Sequence, residues 1–150
     1  MGMDEDLELA VPPVFDNEVL FIYIDDAASA KVQVTDDILR EARITIKRLT
    51  LSDAERVSYV RHALVVDDGE AQTIAIAEHR RMTFLSDDVA GQRLANGIGL
   101  QVTTTLDLIF EWAKHRSDAD VRAACQRLRK RGRYSVPRWH HLADWYRERL

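Results

Sequence analysis

From Ile44 onward the apolar positions change period in a regular order. "ITIKRL" (44–49) alternates at period two and predicts a half-buried strand. In "LSDAERVSYVRHAL", Ser52 followed by Glu55 is a capping box, which opens a helix. Asp67 with Glu70 repeats that start signal. Ala71, Ile74, Ala75 and Glu78 then share one helix face, while Ile76 and Ala77 lie close to another. Apolar residues on both sides predict a helix buried between layers. "MTFL" (82–85) is a short strand, and Ser86 caps the following "DDVAGQRLANGI", which Gly97 or Gly99 can end. "LQVTT" (100–104) is a strand; Thr104 or Thr105 caps "LDLIFEWAKH". Ser117 caps "DADVRAACQRLRKR", stopped at Gly132, and an amphipathic helix "HHLADWYRERL" closes the chain after Pro137.

The first third is less regular. "VPPVFDNEVLFIYI" (11–24) predicts a helix beginning at Pro12 or Pro13, because proline is favoured in a first helical turn. Its β-branched and aromatic content makes a strand beginning at Val14 the rival. "DDAASAKVQVTDD" (25–37) reads as a polar loop, after which Thr35 or Asp36 caps a short helix through Glu41. Strands alternating with helices predict an α/β domain with a mainly parallel sheet and right-handed crossovers. Functional groups in such sheets collect at the carboxyl ends of strands. Asp87 and Asp88 directly follow the strand at 82–85.

Composition narrows the classes. One domain of 150 residues, 46% apolar, has room for a real core. Cys125 is the single cysteine, which excludes an internal disulfide and a zinc knuckle and fits a cytoplasmic setting. No apolar run approaches the ~18 residues that span a membrane, and the acidic start "MGMDEDLELA" is unlike a signal peptide. Charge is uneven. Residues 1–112 hold 10 Lys and Arg against 21 Asp and Glu, a net of −11, whereas 113–150 hold 11 against 4, a net of +7. An acidic site in one part and a polyanion-facing surface in the other would produce this split; so would an acidic body with a solvated basic helix.

The acids offer one chemistry. Mg²⁺ or Mn²⁺ takes oxygen ligands, and a carboxylate-held ion activates water and stabilises charge building on a phosphodiester. No phosphate-binding glycine loop and no H-E-x-x-H is present. His140 and His141 are adjacent, so a helix would not aim both at one metal. Each acid also has a plain structural role: Asp67 and Glu70 in a capping box, Asp87 and Asp88 at the positive end of a helix.

"DDGEAQTIAIAEHRRMTFLSDDVAGQRLANGIGLQVTTTLDLI" (67–109) resembles the C-terminal half of PIN-domain proteins, with weaker similarity across 11–48 and in the tail with "RGRYSVP". The resemblance implies a three-layer α/β domain over 1–150 with a basic helical extension at 113–150. It implies a metal-dependent nuclease, in many relatives the toxin of a toxin–antitoxin pair. Glu70 then fits the third acid of the site and Asp88 the fourth, with Asp87 beside it. "AVPPVFDNEV" resembles the entry to the helix bearing the second acid, which makes Glu18 that residue. On this alignment the usual first strand and its Asp would precede Met1. The other alignment takes Asp16 as the first acid and Glu41 as the second, but the proline pair suits a helix entry better than a central strand.

Two readings follow. In one the protein is an endoribonuclease with Glu18, Glu70 and Asp88 as catalytic residues and Mg²⁺ or Mn²⁺ on Glu18, Glu70, Asp87 and Asp88. In the other a degenerate PIN fold binds RNA or protein without cutting. In both, Arg129, Lys130, Arg131 and Arg133 of "RLRKRGRY", followed by Trp139, Trp145 and Tyr146, are candidates for gripping single-stranded RNA. An antitoxin protein and a second copy of the chain are the expected protein partners.

Overall fold

The computed structural model describes residues 7–17, 20–27 and 29–150. In chain order, strand β1 (Leu7–Val11) leads into a 3-10 turn (Pro13–Asn17), then β2 (Phe21–Tyr23), β3 (Lys31–Gln33), α1 (Asp36–Glu41) and β4 (Ile44–Arg48). Two helices follow, α2 (Asp53–His62) and α3 (Asp68–Arg80), then β5 (Phe84–Leu85), α4 (Val89–Gly97) and β6 (Val102–Thr103). The chain ends with α5 (Thr105–Ala113), α6 (Asp118–Arg131) and α7 (Ala143–Arg147). The described residues divide into two compact units, one built on 7–17 and 36–105, the other on 20–27, 29–35 and 106–150.

The first unit holds both parallel pairs. β1 runs beside β4 from Leu7↔Ile44 to Val11↔Arg48, and β5 beside β6 from Phe84↔Val102 to Leu85↔Thr103. The α/β class and the parallel pairing match the sequence pattern, but among the described residues the strands form separate two-stranded ladders. The start signals behave as read. Ser52 and Glu55 make the reciprocal capping box of α2, and Asp67 accepts the Glu70 amide to start α3. Ala71, Ile74, Ala75, Ile76 and Ala77 are all buried, as apolar residues on two faces require. Ile74 and Ala77 meet Phe84 and Ala95, which packs α3 against β5 and α4. Arg81 ends α3 in the left-handed region; α4 ends at Gly97, and Gly99 takes the positive φ of 81°.

Polar groups fasten α2 to α3. Glu55, almost fully buried, accepts from Arg80 at 2.6 and 3.0 Å, and Arg80 also donates to the Thr50 carbonyl at 2.7 Å. His62 meets Glu78 at 2.9 Å, and Ser58 meets His79 at 2.8 Å. The Arg80 guanidinium pulls the Glu55 carboxyl down to about 2, while burial and the Ser52 amide act in opposite directions on it.

The other unit is helical with one hairpin. Leu106, Val121, Cys125, Leu142 and Tyr146 form its core. Phe110 meets Trp145 edge-on at 5.1 Å, and Tyr134 meets Tyr146 at 5.7 Å. Ser117 caps α6 as expected, and Gly132 follows its last residue.

Several elements depart from the sequence reading. The helix expected from Pro12 or Pro13 is only the 3-10 turn, and the β-branched run beyond it forms β2. The polar loop at 25–37 contains β3, which pairs with β2 antiparallel from Phe21↔Gln33 to Tyr23↔Lys31. Cross-strand pairing supplied what local polarity argued against. Asp88, not Ser86, is the N-cap of α4. The closing helix is short, because residues 137–142 form turns before Ala143.

Candidate active site

Glu70 lies in the first turn of α3, where Asp67 Oδ1 accepts its amide at 2.9 Å. Its side chain reaches the end of β5, and Ser86 Oγ donates to Glu70 Oε1 at 2.9 Å. The same hydroxyl accepts the Asp88 amide at 3.0 Å. Asp88 Oδ1 in turn accepts the amides of Ala90 and Gly91, at 2.7 and 3.2 Å, and so opens α4. One serine therefore joins the helix that carries Glu70 to the strand end that carries Asp88. Asp87 has a separate partner: its Oδ1 accepts the Thr105 amide at 2.9 Å and caps α5.

The Glu70 carboxylate rests on the first turn of α4. A β-carbon on Gly91 would lie 2.3 Å from Glu70 Oε1, so only glycine admits the carboxylate there. Burial pushes the Glu70 carboxyl above its ordinary value, and the charges of Asp88 and Asp67 push the same way against the Ser86 hydrogen bond. Beside it opens a cavity of about 400 Å³, bordered by Glu8, Asp67, Glu70 and Ser86 with apolar walls from Leu9 and Phe84. Phe84 and Ser86 donate their amides to the β6 side, at Gln101 and Thr103. In a parallel ladder the intervening residues face the other way, so Thr83 and Leu85 turn the outer edge of β5 towards this cavity. Residues of β1 line it as well.

The donor set suits a hard divalent cation. Each carboxylate offers roughly four lone-pair sites, so the caps made by Asp87 and Asp88 leave their second oxygens for a ligand. All the donors are oxygens, as Mg²⁺ or Mn²⁺ requires. Burial does most to raise the Glu70 carboxyl, and a cation would offset the charges of Asp88 and Asp67 that add to it.

The remaining candidates fall in several places. Glu18 lies outside the described residues. Asp16 is held by Arg48 Nε at 2.6 Å, Arg48 also binds Asp36, and Glu41 is exposed at the end of α1. Asp16 does not border the cavity, although Val14 and Phe15 do. In the tail, Lys130 and Arg131 pair with Asp26 at 3.4 and 3.0 Å, and Arg133 lies over the Tyr23 ring at 5.2 Å. Arg129 is exposed in the last turn of α6. Of the three rings proposed for stacking, Tyr146 is in the core and Trp145 packs on Phe110 and Arg149. Trp139 alone stands well exposed, at 62%. Sequence reasoning missed the bridging role of Ser86 and the steric role of Gly91. A serine between a strand and two acids was the available signal; Gly91 had none.

The family model described as "DUF3368: PIN domain" matches residues 14–143, and the chain belongs to the PIN-domain family. Membership brings nuclease-type function in general, of a kind typically dependent on a divalent metal. No curated protein and no solved structure matches the chain. No helix among the described residues is long and apolar enough to cross a membrane.

Proposed function

We propose that the protein is a Mg²⁺- or Mn²⁺-dependent endoribonuclease acting on single-stranded RNA in the cytoplasm, as the toxin of a toxin–antitoxin pair. The observation that carries this is the joining of Glu70 and Asp88 through Ser86 beside an open cavity. Glu70 and Asp88 would hold the cation, Asp87 would assist through its second oxygen, and Glu18 is the further ligand by family resemblance. The ion supplies water activation and charge stabilisation at the phosphodiester. Ser86 fixes the Glu70 carboxylate, and the Asp88 caps fix that side chain against α4, so the ligands are oriented before substrate arrives. The basic end of α6 and the exposed Trp139 are the surfaces offered to RNA.

A second reading has its own support. β1 ends in Ala10-Val11 and runs into Pro12, so no acid stands at its carboxyl end. The outer edges of β1 and β5 have no partner strand among the described residues. On this reading the chain alone is weak or inactive and works as an RNA- or protein-binding module. Unpaired edges invite association, which supports a homodimer or a complex with an antitoxin protein. An assay of Mn²⁺-dependent cleavage of single-stranded RNA decides between them. Robust cleavage that Asp88→Asn abolishes establishes the nuclease; RNA retention without cleavage establishes the binding module. Sedimentation at micromolar concentration tests the assembly, and a monomer would refute it.

A further inference from the structure

We propose that Asp107, His140 and His141 form a second metal site, for a borderline divalent transition metal such as Zn²⁺, in the helical unit and chemically distinct from the carboxylates around Glu70. One ligand atom from each of the three lies within 4.8 Å of the others. The objection from sequence was that adjacent histidines on a helix diverge. These two are not on a helix, because α7 begins only at Ala143. The His140 amide donates to the Pro137 carbonyl at 3.1 Å and the Ala143 amide to the His140 carbonyl at 2.9 Å. Those turns stack the two imidazoles, with centroids 4.5 Å apart and planes at 19°. On a strand, neighbouring side chains would point to opposite faces.

The three residues divide the work. His140 is 8% exposed, and the Leu142 amide donates to its Nδ1 at 3.1 Å, so a metal on Nε2 would move the ring proton to Nδ1 and replace that hydrogen bond. Asp107 comes from the first turn of α5, and His141 Nε2 lies 2.9 Å from its Oδ1. The His141 side chain is 69% exposed, so a cation can arrive from solution. Two imidazoles and a carboxylate suit Zn²⁺, Co²⁺ or Ni²⁺ and not Mg²⁺. Ligand atoms on a tetrahedral Zn²⁺ with bonds of ~2.1 Å lie roughly 3.4 Å apart. No pair of ligand atoms therefore has to close by more than about 1.4 Å, within the reach of the exposed His141 side chain. An imidazole ligates through a bare nitrogen, so a cation between His141 Nε2 and Asp107 Oδ1 would take the place of their direct contact. Three protein ligands leave a position for water, and the ion would fasten the segment before α7 to the start of α5.

The test uses the full chain freed of metal by chelation. Addition of Co²⁺ should give ligand-field absorption saturating at one equivalent, bleached by Zn²⁺ and unaffected by excess Mg²⁺. Zn²⁺ should raise the melting temperature in proportion to its occupancy. His141→Ala and Asp107→Asn should each weaken Zn²⁺ binding at least tenfold. Asp88→Asn should leave it unchanged, which separates this site from the acidic one. His141→Gln, with circular dichroism on each variant, guards against loss of fold. Absence of the absorption at one equivalent, or equal affinity in His141→Ala, would overturn the proposal.

Discussion

Gly91→Ala isolates the position of one carboxylate. The added β-carbon would stand 2.3, 2.8 and 3.0 Å from Glu70 Oε1, Cδ and Oε2. Non-bonded atoms settle near 3.5 Å, so the carboxylate must retreat by about 1 Å. The Ser86–Glu70 hydrogen bond, now 2.9 Å, does not survive that displacement. Its loss costs roughly 1.5 kcal/mol, as for a hydrogen bond to a charged group. Replacing glycine by alanine inside α4 returns about 1 kcal/mol of helix propensity. The two nearly cancel, so chemical denaturation should show a change of about 0.5 kcal/mol. Function should not cancel: a ligand misplaced by ~1 Å costs on the order of 100-fold where geometry controls rate. Mn²⁺ titration by calorimetry should show affinity down at least about tenfold, given the same displacement. Wild-type Mn²⁺ affinity in a folded Gly91→Ala protein would refute the assignment of Glu70 as a ligand.

Asp88→Asn should keep the cap on α4 and change stability by only a few tenths of a kcal/mol, while Asp88→Ala should cost about 1 kcal/mol; both should abolish Mn²⁺-dependent cleavage, and thermal melts with an RNA assay separate the effects. Glu55 is ionised more readily in the fold than in the unfolded chain, at about 2 against 4.5. Its stabilisation is therefore complete above the unfolded value and lost as pH falls through the window between them. Glu55→Gln should flatten that acid limb and cost about 2 kcal/mol at neutral pH, below the ~3–5 kcal/mol of a fully buried pair because Arg80 is partly exposed. Urea titrations across the acid range measure both. Replacing Arg129, Lys130 and Arg131 by Ala should weaken RNA binding and flatten its salt slope by up to about 2, since Lys130 and Arg131 are already partly neutralised by Asp26. Identical binding at every salt concentration would remove the tail from the interface.

What the sequence made legible was local. Ser52 with Glu55, Asp67 with Glu70 and Ser117 before α6 act within one helical turn, so spacing alone revealed them. The double-faced burial of Ile74 and Ile76 was equally visible. The misread parts depend on distant residues. β3 is a strand because its backbone pairs with β2, from Phe21↔Gln33 to Tyr23↔Lys31. Asp87 caps a helix 18 positions away, and Ser86 joins Asp88 to a carboxylate 16 positions back. The two histidines were dismissed on helical geometry that turns at 137–142 replace. Local grammar predicts where a helix starts; it does not say which oxygen a neighbouring strand will borrow.

The caps made by Asp87 and Asp88 have an evolutionary consequence. Each holds a backbone amide through a carboxylate oxygen that an asparagine would reproduce. On the proposed site, a single-base change from aspartate to asparagine would then remove a cation ligand while the helix starts remain. Selection for folding would not resist that step. A lineage of such chains can drift from cutting to mere binding without passing through an unstable intermediate, and the helices that position the site would carry no record of the change.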